Sequence, residues 1–186
     1  LFPQDGSGID RPEQVLVASA AVEDSVPEVV RAKELGLPRL TRADLNAALF
    51  NAAETGVAVA GTSGKSTVTG MLGWILHHAG REPTIMNGAV MKNFVSEDRP
   101  FASAVVGDAD LYVSEVDESD GSIAQYIPAV GILLNVSLDH KSMDELRQLF
   151  GDFLEASARG VVNADDEEAF RLVAHANAPL TFGVTN

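Results

Sequence analysis

Residues 56–67 read "GVAVAGTSGKST", and the reading of this stretch decides the rest of the chain. Val57, Ala58, Val59 and Ala60 form a short, continuous apolar run, as a buried parallel strand requires. From Ser66 the pattern changes to helical spacing, with Val68, Met71, Leu72, Ile75, Leu76 and Ala79 on one expected inward face and Gly80 as the stop. Between strand and helix, Gly61 and Gly64 allow a tight backbone whose N–H groups converge on an anion. The helix points its positive dipole end at the same place. Lys65, expected on an exposed loop, adds a full charge, and the Ser66 hydroxyl is a candidate Mg²⁺ ligand. Gly61, Thr62, Ser63, Gly64, Lys65, Ser66 and Thr67 are therefore candidate phosphate contacts. The pattern G-x-x-x-x-G-K-[ST] fails at Val59, whereas the shorter G-T-x-G-K-[ST]-T fits throughout.

The rest of the composition bounds the class. With 186 residues, 46% hydrophobic and 22% charged, the chain can build one good core or two small ones. No apolar run approaches the ~20 residues of a membrane helix, and no signal-peptide pattern opens it, so no membrane partner is expected. The absence of cysteine excludes disulfides, cysteine-based zinc sites and thiol nucleophiles, and fits a cytoplasmic protein. A net charge of −14 argues against nucleic acid, whose backbone demands a basic surface, but not against nucleotides. The opening "LFPQDGSGID" carries no initiator methionine and reads as the middle of a longer protein.

Strands are expected at 15–19, 84–86, 104–106, 111–115, 131–134, 161–163 and in "PLTFG". Helices are expected in "DSVPEVVRAKELG", after Thr41 (an N-cap with Asp44 three residues on), in "SMDELRQLFGDFLEASA" and over 166–174. Met143, Leu146, Leu149, Phe150, Phe153 and Leu154 form the inward face of the third. Strands alternating with helices imply an α/β fold, a mostly parallel sheet with helices on both faces. Residues 1–54 read as the tail of one α/β unit, with a boundary at Thr55 and Gly56.

Two further segments carry polar residues at strand ends. "ADLYVSEVDESDGS" puts Glu115 just after an apolar strand, where an acid can hold Mg²⁺. Glu115, Asp117, Glu118 and Asp120 crowd into six residues, so a cation or open solvent must relieve their repulsion. "GILLNVSLDH" ends another buried strand in Asn135, followed by Asp139 and His140, and can reach the same crevice beyond the strand ends.

G-T-x-G-K-[ST]-T, E-x-D-E-S-D and N-x-x-x-D-H, in this order, resemble the Mur ligase family, ATP-dependent enzymes of peptidoglycan precursor synthesis. "VLVASAAVEDSVPEVVRAKELGLPRLTRADLNAAL" is similar to the end of that family's Rossmann-like UDP-sugar-binding domain, and "VVNADDEE" to a stretch of its central domain. The resemblance implies that 1–54 is the C-terminal part of the first domain and 55–186 an incomplete P-loop-type central domain, with the C-terminal ligase domain absent. It implies ATP and Mg²⁺ as cofactors, and UDP-N-acetylmuramate and an amino acid as substrates joined through an acyl phosphate. "EVDESDGS" resembles the branch that adds L-alanine; the alternatives are the branch that recycles murein peptides and a generic P-loop NTPase or kinase. Carried onto this sequence, the resemblance makes Lys65 and His140 catalytic and makes Ser66, Glu115 and His140 metal ligands, with Asn135 and Asp139 orienting their loop. Ser63 stands where those relatives carry histidine, and Lys141 and Ser142 follow the D-H pair where an apolar residue and aspartate are usual.

Overall fold

In the computed structural model, which describes residues 1–19, 21–139 and 141–184, the chain divides into two compact units, Leu1–Ala48 and Leu49–Asn186. The first holds β1 (Leu16–Ala18), α1 (Pro27–Glu34), β2 (Arg39–Thr41) and most of α2 (Arg42–Ala52). β1 and β2 pair in parallel, and α1 buries Val29 and Ala32. Proline at the start of α1 supplies a preset φ and lacks only an N–H that the first turn cannot use. The expected cap of α2 is present as a reciprocal pair: the Thr41 amide donates to Asp44 Oδ2 at 2.8 Å, and the Asp44 amide donates to Thr41 Oγ1 at 3.0 Å.

The second unit is built on a seven-stranded sheet. Its strands are β3 (Thr55–Ala60), β4 (Pro83–Met86), β5 (Ala104–Val105), β6 (Asp108–Glu115), β7 (Val130–Leu133), β8 (Gly160–Asn163) and β9 (Leu180–Phe182). They lie in the order β5-β4-β6-β3-β7-β8-β9. Only the β4–β5 pair is antiparallel. β3 sits at the centre, and its run from Val57 to Ala60 is buried on both sides, as its unbroken apolar character requires. The helices are α3 (Lys65–His78), α4 (Met143–Ala156) and α5 (Glu167–Arg171). The β3–α3–β4 crossover runs toward one edge of the sheet and β7–α4–β8 toward the other. The right-handed crossover rule then sets α3 and α4 on opposite faces. The chain thus reverses its direction of travel between β3 and β7, which opens a crevice beyond the carboxyl ends of those strands.

Each helix end has a local cause. α3 begins at Gly64, which takes φ 82°, and ends before Gly80 at φ 73°. The Arg81 amide donates to Leu76 O and the Gly80 amide to His77 O, each at 3.0 Å, closing the last turn as a Schellman motif. α4 starts with a capping box between Ser142 and Glu145 and buries Leu146, Phe150, Phe153 and Leu154.

The inward face of α3 differs from expectation. Met71 and Ile75, assigned to the core by spacing, are each 59% exposed, while Thr69 and Gly73 are buried. The cause is close approach: a Cβ on Gly73 would lie 2.5 Å from Ile85 Cδ1. Small residues let α3 press onto β4, and Leu72 and Leu76 flank that contact against Val57, Ile85 and Val113.

Candidate functional site

Gly61 leaves β3 at φ 138°, a conformation that L side chains rarely adopt, and a Cβ there would lie 3.1 Å from Leu134 Cβ and 3.2 Å from the Asn135 backbone. Glycine is thus required twice over, by backbone and by space. The loop it opens is held from across the crevice by Asn135, just past the end of β7. Asn135 Oδ1 accepts from Thr62 Oγ1 at 2.9 Å, from the Ser63 amide at 2.9 Å and from Ser63 Oγ at 3.2 Å. Its Nδ2 donates to Ser63 O at 3.0 Å, and its own carbonyl accepts from the Thr62 amide at 3.2 Å. Ser137 closes the network through its amide, which donates to Thr62 Oγ1 at 3.1 Å. The Thr62 and Ser63 amides are therefore engaged by Asn135. The N–H groups at the start of α3, which have no intrahelical acceptor, are the part of the loop directed beyond the helix end.

A second layer steadies Asn135 in turn. Asn163, at the end of β8, donates to Leu134 O at 2.9 Å. Asp166 Oδ1 accepts from the Val136 amide at 3.3 Å and from the Ala169 amide at 2.8 Å, so it caps α5 and ties down the loop after β7 at once. This gives the "NADDEE" stretch a structural role that its sequence alone did not reveal.

The acidic segment after β6 meets the loop from the other side. Ser66 Oγ donates to Glu115 Oε2 at 2.7 Å. Lys65 Nζ donates to Gly61 O and to Glu118 Oε2, both at 2.8 Å. The expectation of an exposed loop lysine is corrected here: the Lys65 side chain is only 18% exposed and that of Glu118 only 7%. A carboxylate taken out of water needs a partner, and Glu118 found one in Lys65. The Asp117 and Asp120 carboxylates accept from the Ser119 and Ser122 amides, each at 2.8 Å. The crowding of the four acids is thus relieved by an internal ammonium and by backbone donors.

Sequence reasoning missed two neighbours of this site, and the partner of a third residue that it had named. Gly88 follows β4, and a Cβ on it would lie 2.0 Å from Glu115 Oε1, so the missing side chain is the space the carboxylate occupies. Asn87 donates from Nδ2 to Ser66 O at 3.0 Å, is 6% exposed, and leaves its Oδ1 without a hydrogen-bond partner. Glu118, already named among the crowded acids, gains its partner Lys65 only in the fold. A glycine two residues after an expected strand was the available signal for Gly88; Asn87 and the partner of Glu118 depend on contacts between distant segments.

Of the candidate metal ligands, the structure brings Ser66 and Glu115 together, and His140 lies outside the described residues. Asp139 is exposed. Among the described residues no group of three or more histidine, aspartate or glutamate side chains is placed to hold an ion. The donors present, a hydroxyl and a carboxylate, are the hard oxygen type that suits Mg²⁺, which keeps several of its waters and takes few protein ligands. No helix among the described residues is long and apolar enough to cross a membrane.

Comparison with known proteins agrees with this fold. The Mur ligase middle domain model matches residues 59–186. A UDP-N-acetylmuramate–L-alanine ligase of Aquifex aeolicus is 35% identical, the match covering 100% of this chain and 43% of that protein. One of Streptomyces coelicolor is 40% identical over 84% of this chain and 34% of that protein. The chain therefore spans less than half the length of these curated relatives. Among solved structures, the UDP-N-acetylmuramate-alanine ligase MurC of Thermotoga maritima matches with a TM-score of 0.76 at 26% identity, covering 92% of this chain and 39% of that one.

Proposed function

Because the chain belongs to the Mur ligase family, matching its middle domain, we propose that it supplies the ATP-binding part of a ligase joining L-alanine to the carboxylate of UDP-N-acetylmuramate. In this reading residues 1–54 end the UDP-sugar-binding domain, 55–186 belong to the central domain, and the protein works in the cytoplasm, where ATP is available. The observation that supports it best is the convergence of Lys65 and Ser66, at the start of α3, on Glu118 and Glu115 from the end of β6.

The task is mainly electrostatic, because two anions, a carboxylate and a phosphate, must be brought into contact. Lys65 and the N–H groups at the start of α3 would offset charge at the β- and γ-phosphates. Ser66 and Glu115 would hold Mg²⁺, and His140, by its place after Asp139, would serve as a further ligand in its neutral form. Bound there, Mg²⁺ would supply Lewis-acid neutralisation of phosphate charge. A substrate carboxylate oxygen bonds to the γ-phosphorus as ADP leaves, giving the acyl phosphate. The amine nitrogen then bonds to the acyl carbon, inorganic phosphate leaves, and the amine gives up a proton. Asn135 would keep the loop in shape throughout, which is where positioning contributes.

The test has two stages. The chain is titrated with ATP and ADP, with and without Mg²⁺, and the expected result is Mg²⁺-dependent binding that Lys65→Ala weakens severely. The ligase that contains it is then assayed for phosphate release with UDP-N-acetylmuramate and a panel of amino acids and peptides. Release only with L-alanine supports the reading, release with a tripeptide moves it to the recycling branch, and release without any amine moves it to a simple NTPase. A folded chain with no affinity for ATP would overturn it.

A further inference from the structure

Lys65 is the one side chain of the phosphate loop that carries a full charge, and in this structure its charge is already in use. Two of its three donor positions are taken by Gly61 O and Glu118 Oε2, both at 2.8 Å. Glu118 is not a surface acid drawn to a passing lysine. Its side chain is 7% exposed, and the segment bearing it is tied to the phosphate loop through Glu115 and Ser66 and turned locally by the bond from the Ser122 amide to Asp120. The pair is thus built into the fold at the spot where phosphate oxygens would need the ammonium.

We propose that Glu118 is a positioning residue that competes with phosphate for Lys65, so that the nucleotide's di- or triphosphate end must displace an internal carboxylate to engage the loop. The proposal rests on the phosphate-loop reading given above and goes beyond it, since that reading assigns Glu118 no role toward the incoming phosphate. Two costs follow for a ligand that arrives. It must break or share a short ammonium–carboxylate contact, and it must leave a buried carboxylate facing added negative charge. Both costs lower affinity, and both demand a ligand with high charge at its end.

The two possible roles of Glu118 predict opposite signs. If it competes, Glu118→Gln frees Lys65 and tightens ATP and inorganic pyrophosphate binding about tenfold, equivalent to 1.4 kcal/mol. If it serves only to hold the loop in shape, the same change weakens binding. Asp120→Asn removes the same charge from the same segment without touching Lys65, and should alter affinity less than about twofold. A second readout needs no nucleotide. Acylation of lysines by an amine-reactive reagent, followed by peptide mass spectrometry, should find Lys65 protected in the wild type relative to exposed Lys92. Protection should be lost in Glu118→Gln and partly lost in Glu118→Asp, which keeps the charge but withdraws it by one methylene. Tighter binding in Glu118→Gln alone, with Lys65 newly reactive, supports the proposal. Weaker or unchanged binding overturns it, as does equal tightening in Asp120→Asn. Absence of nucleotide binding in every form, with Lys65 still protected by Glu118, would instead overturn the functional reading and leave the pairing intact.

Discussion

Replacing Gly88 by alanine would place a methyl group in the space held by the Glu115 carboxylate. The added Cβ would stand 2.0 Å from Oε1, 3.1 Å from Cδ and 3.6 Å from Oε2. Non-bonded carbon contacts settle near 3.5 Å, so Oε1 must retreat by on the order of 1 Å or more. The carboxyl group is rigid, so Oε2 moves with it, and its 2.7 Å bond from Ser66 Oγ is lost. A hydrogen bond to a charged group contributes about 1.5–3 kcal/mol. Glu115 is only half-buried and can turn toward water, which offsets much of that loss. Gly88 is not among the positive-φ glycines, so alanine adds no backbone strain and gains a little through the unfolded chain. The net effect on stability should be about 1 kcal/mol, a small shift in a thermal melt without ligand. The effect on the cation should be larger, since Glu115 is displaced from Ser66, the other proposed ligand among the described residues. The Mg²⁺ concentration that half-saturates nucleotide binding should rise about tenfold. A variant with wild-type melting and an unchanged Mg²⁺ titration would show that Glu115 is not held against Gly88, and would remove it from the site.

Lys65→Ala strands Glu118 in a buried position, so it should destabilise the fold by about 3 kcal/mol in urea unfolding as well as abolish tight ATP binding; Glu118→Gln in the same chain should restore most of the stability, and a single variant as stable as the wild type would refute the pairing. Asn135→Ala removes the side-chain bonds that Asn135 makes to Thr62 and Ser63, so the Ser63 amide should lose hydrogen-exchange protection and nucleotide affinity should fall about tenfold; retained protection would place the clamp elsewhere. The Arg147 guanidinium, hydrogen-bonded to Glu168 at 2.7 Å, holds that carboxyl below its ordinary 4.5. A depressed carboxyl contributes stability that is present above its ordinary value and is lost as pH falls through the depressed one. Arg147→Ala should therefore be less stable than the wild type at neutral pH, with the gap closing as the pH drops below 4.5; a gap that is constant with pH would refute the assignment.

The strands and caps were legible because their causes are local. The unbroken run of Val57 to Ala60, bounded by glycines, reads as a strand buried on both faces, and Thr41 with Asp44 reads as the start of a helix. The same reasoning failed on α3, where spacing put Met71 and Ile75 inside. Periodicity finds a stripe of large residues, but the face that meets β4 is chosen by how near the helix backbone can come. Gly73 allows an approach to Ile85 that any side chain would prevent. Small residues leave no mark on a hydrophobic pattern, and so the contact that orients α3, and with it Lys65 and Ser66, was not visible.

The acidic segment shows the same limit from the side of charge. Four carboxylates in six residues must be compensated, and the sequence supports that inference without saying by what. The compensating ammonium lies 53 positions earlier, and the hydroxyl that meets Glu115 lies 49 positions earlier. Such distances are spanned only because β3 and β6 are neighbours in the sheet, with Val59 opposite Glu115 in register. Once that register is set, Glu115 and Glu118 reach the loop that leaves β3, and Gly88 admits the first of them because β4 lies on the other side of β6. The site is therefore a property of strand order. Each of its polar residues ends a strand or follows one closely, and the order β4-β6-β3-β7 converts four separated segments into one crevice. An exchange of any two of these strands would leave every motif intact in the sequence and no site in the molecule.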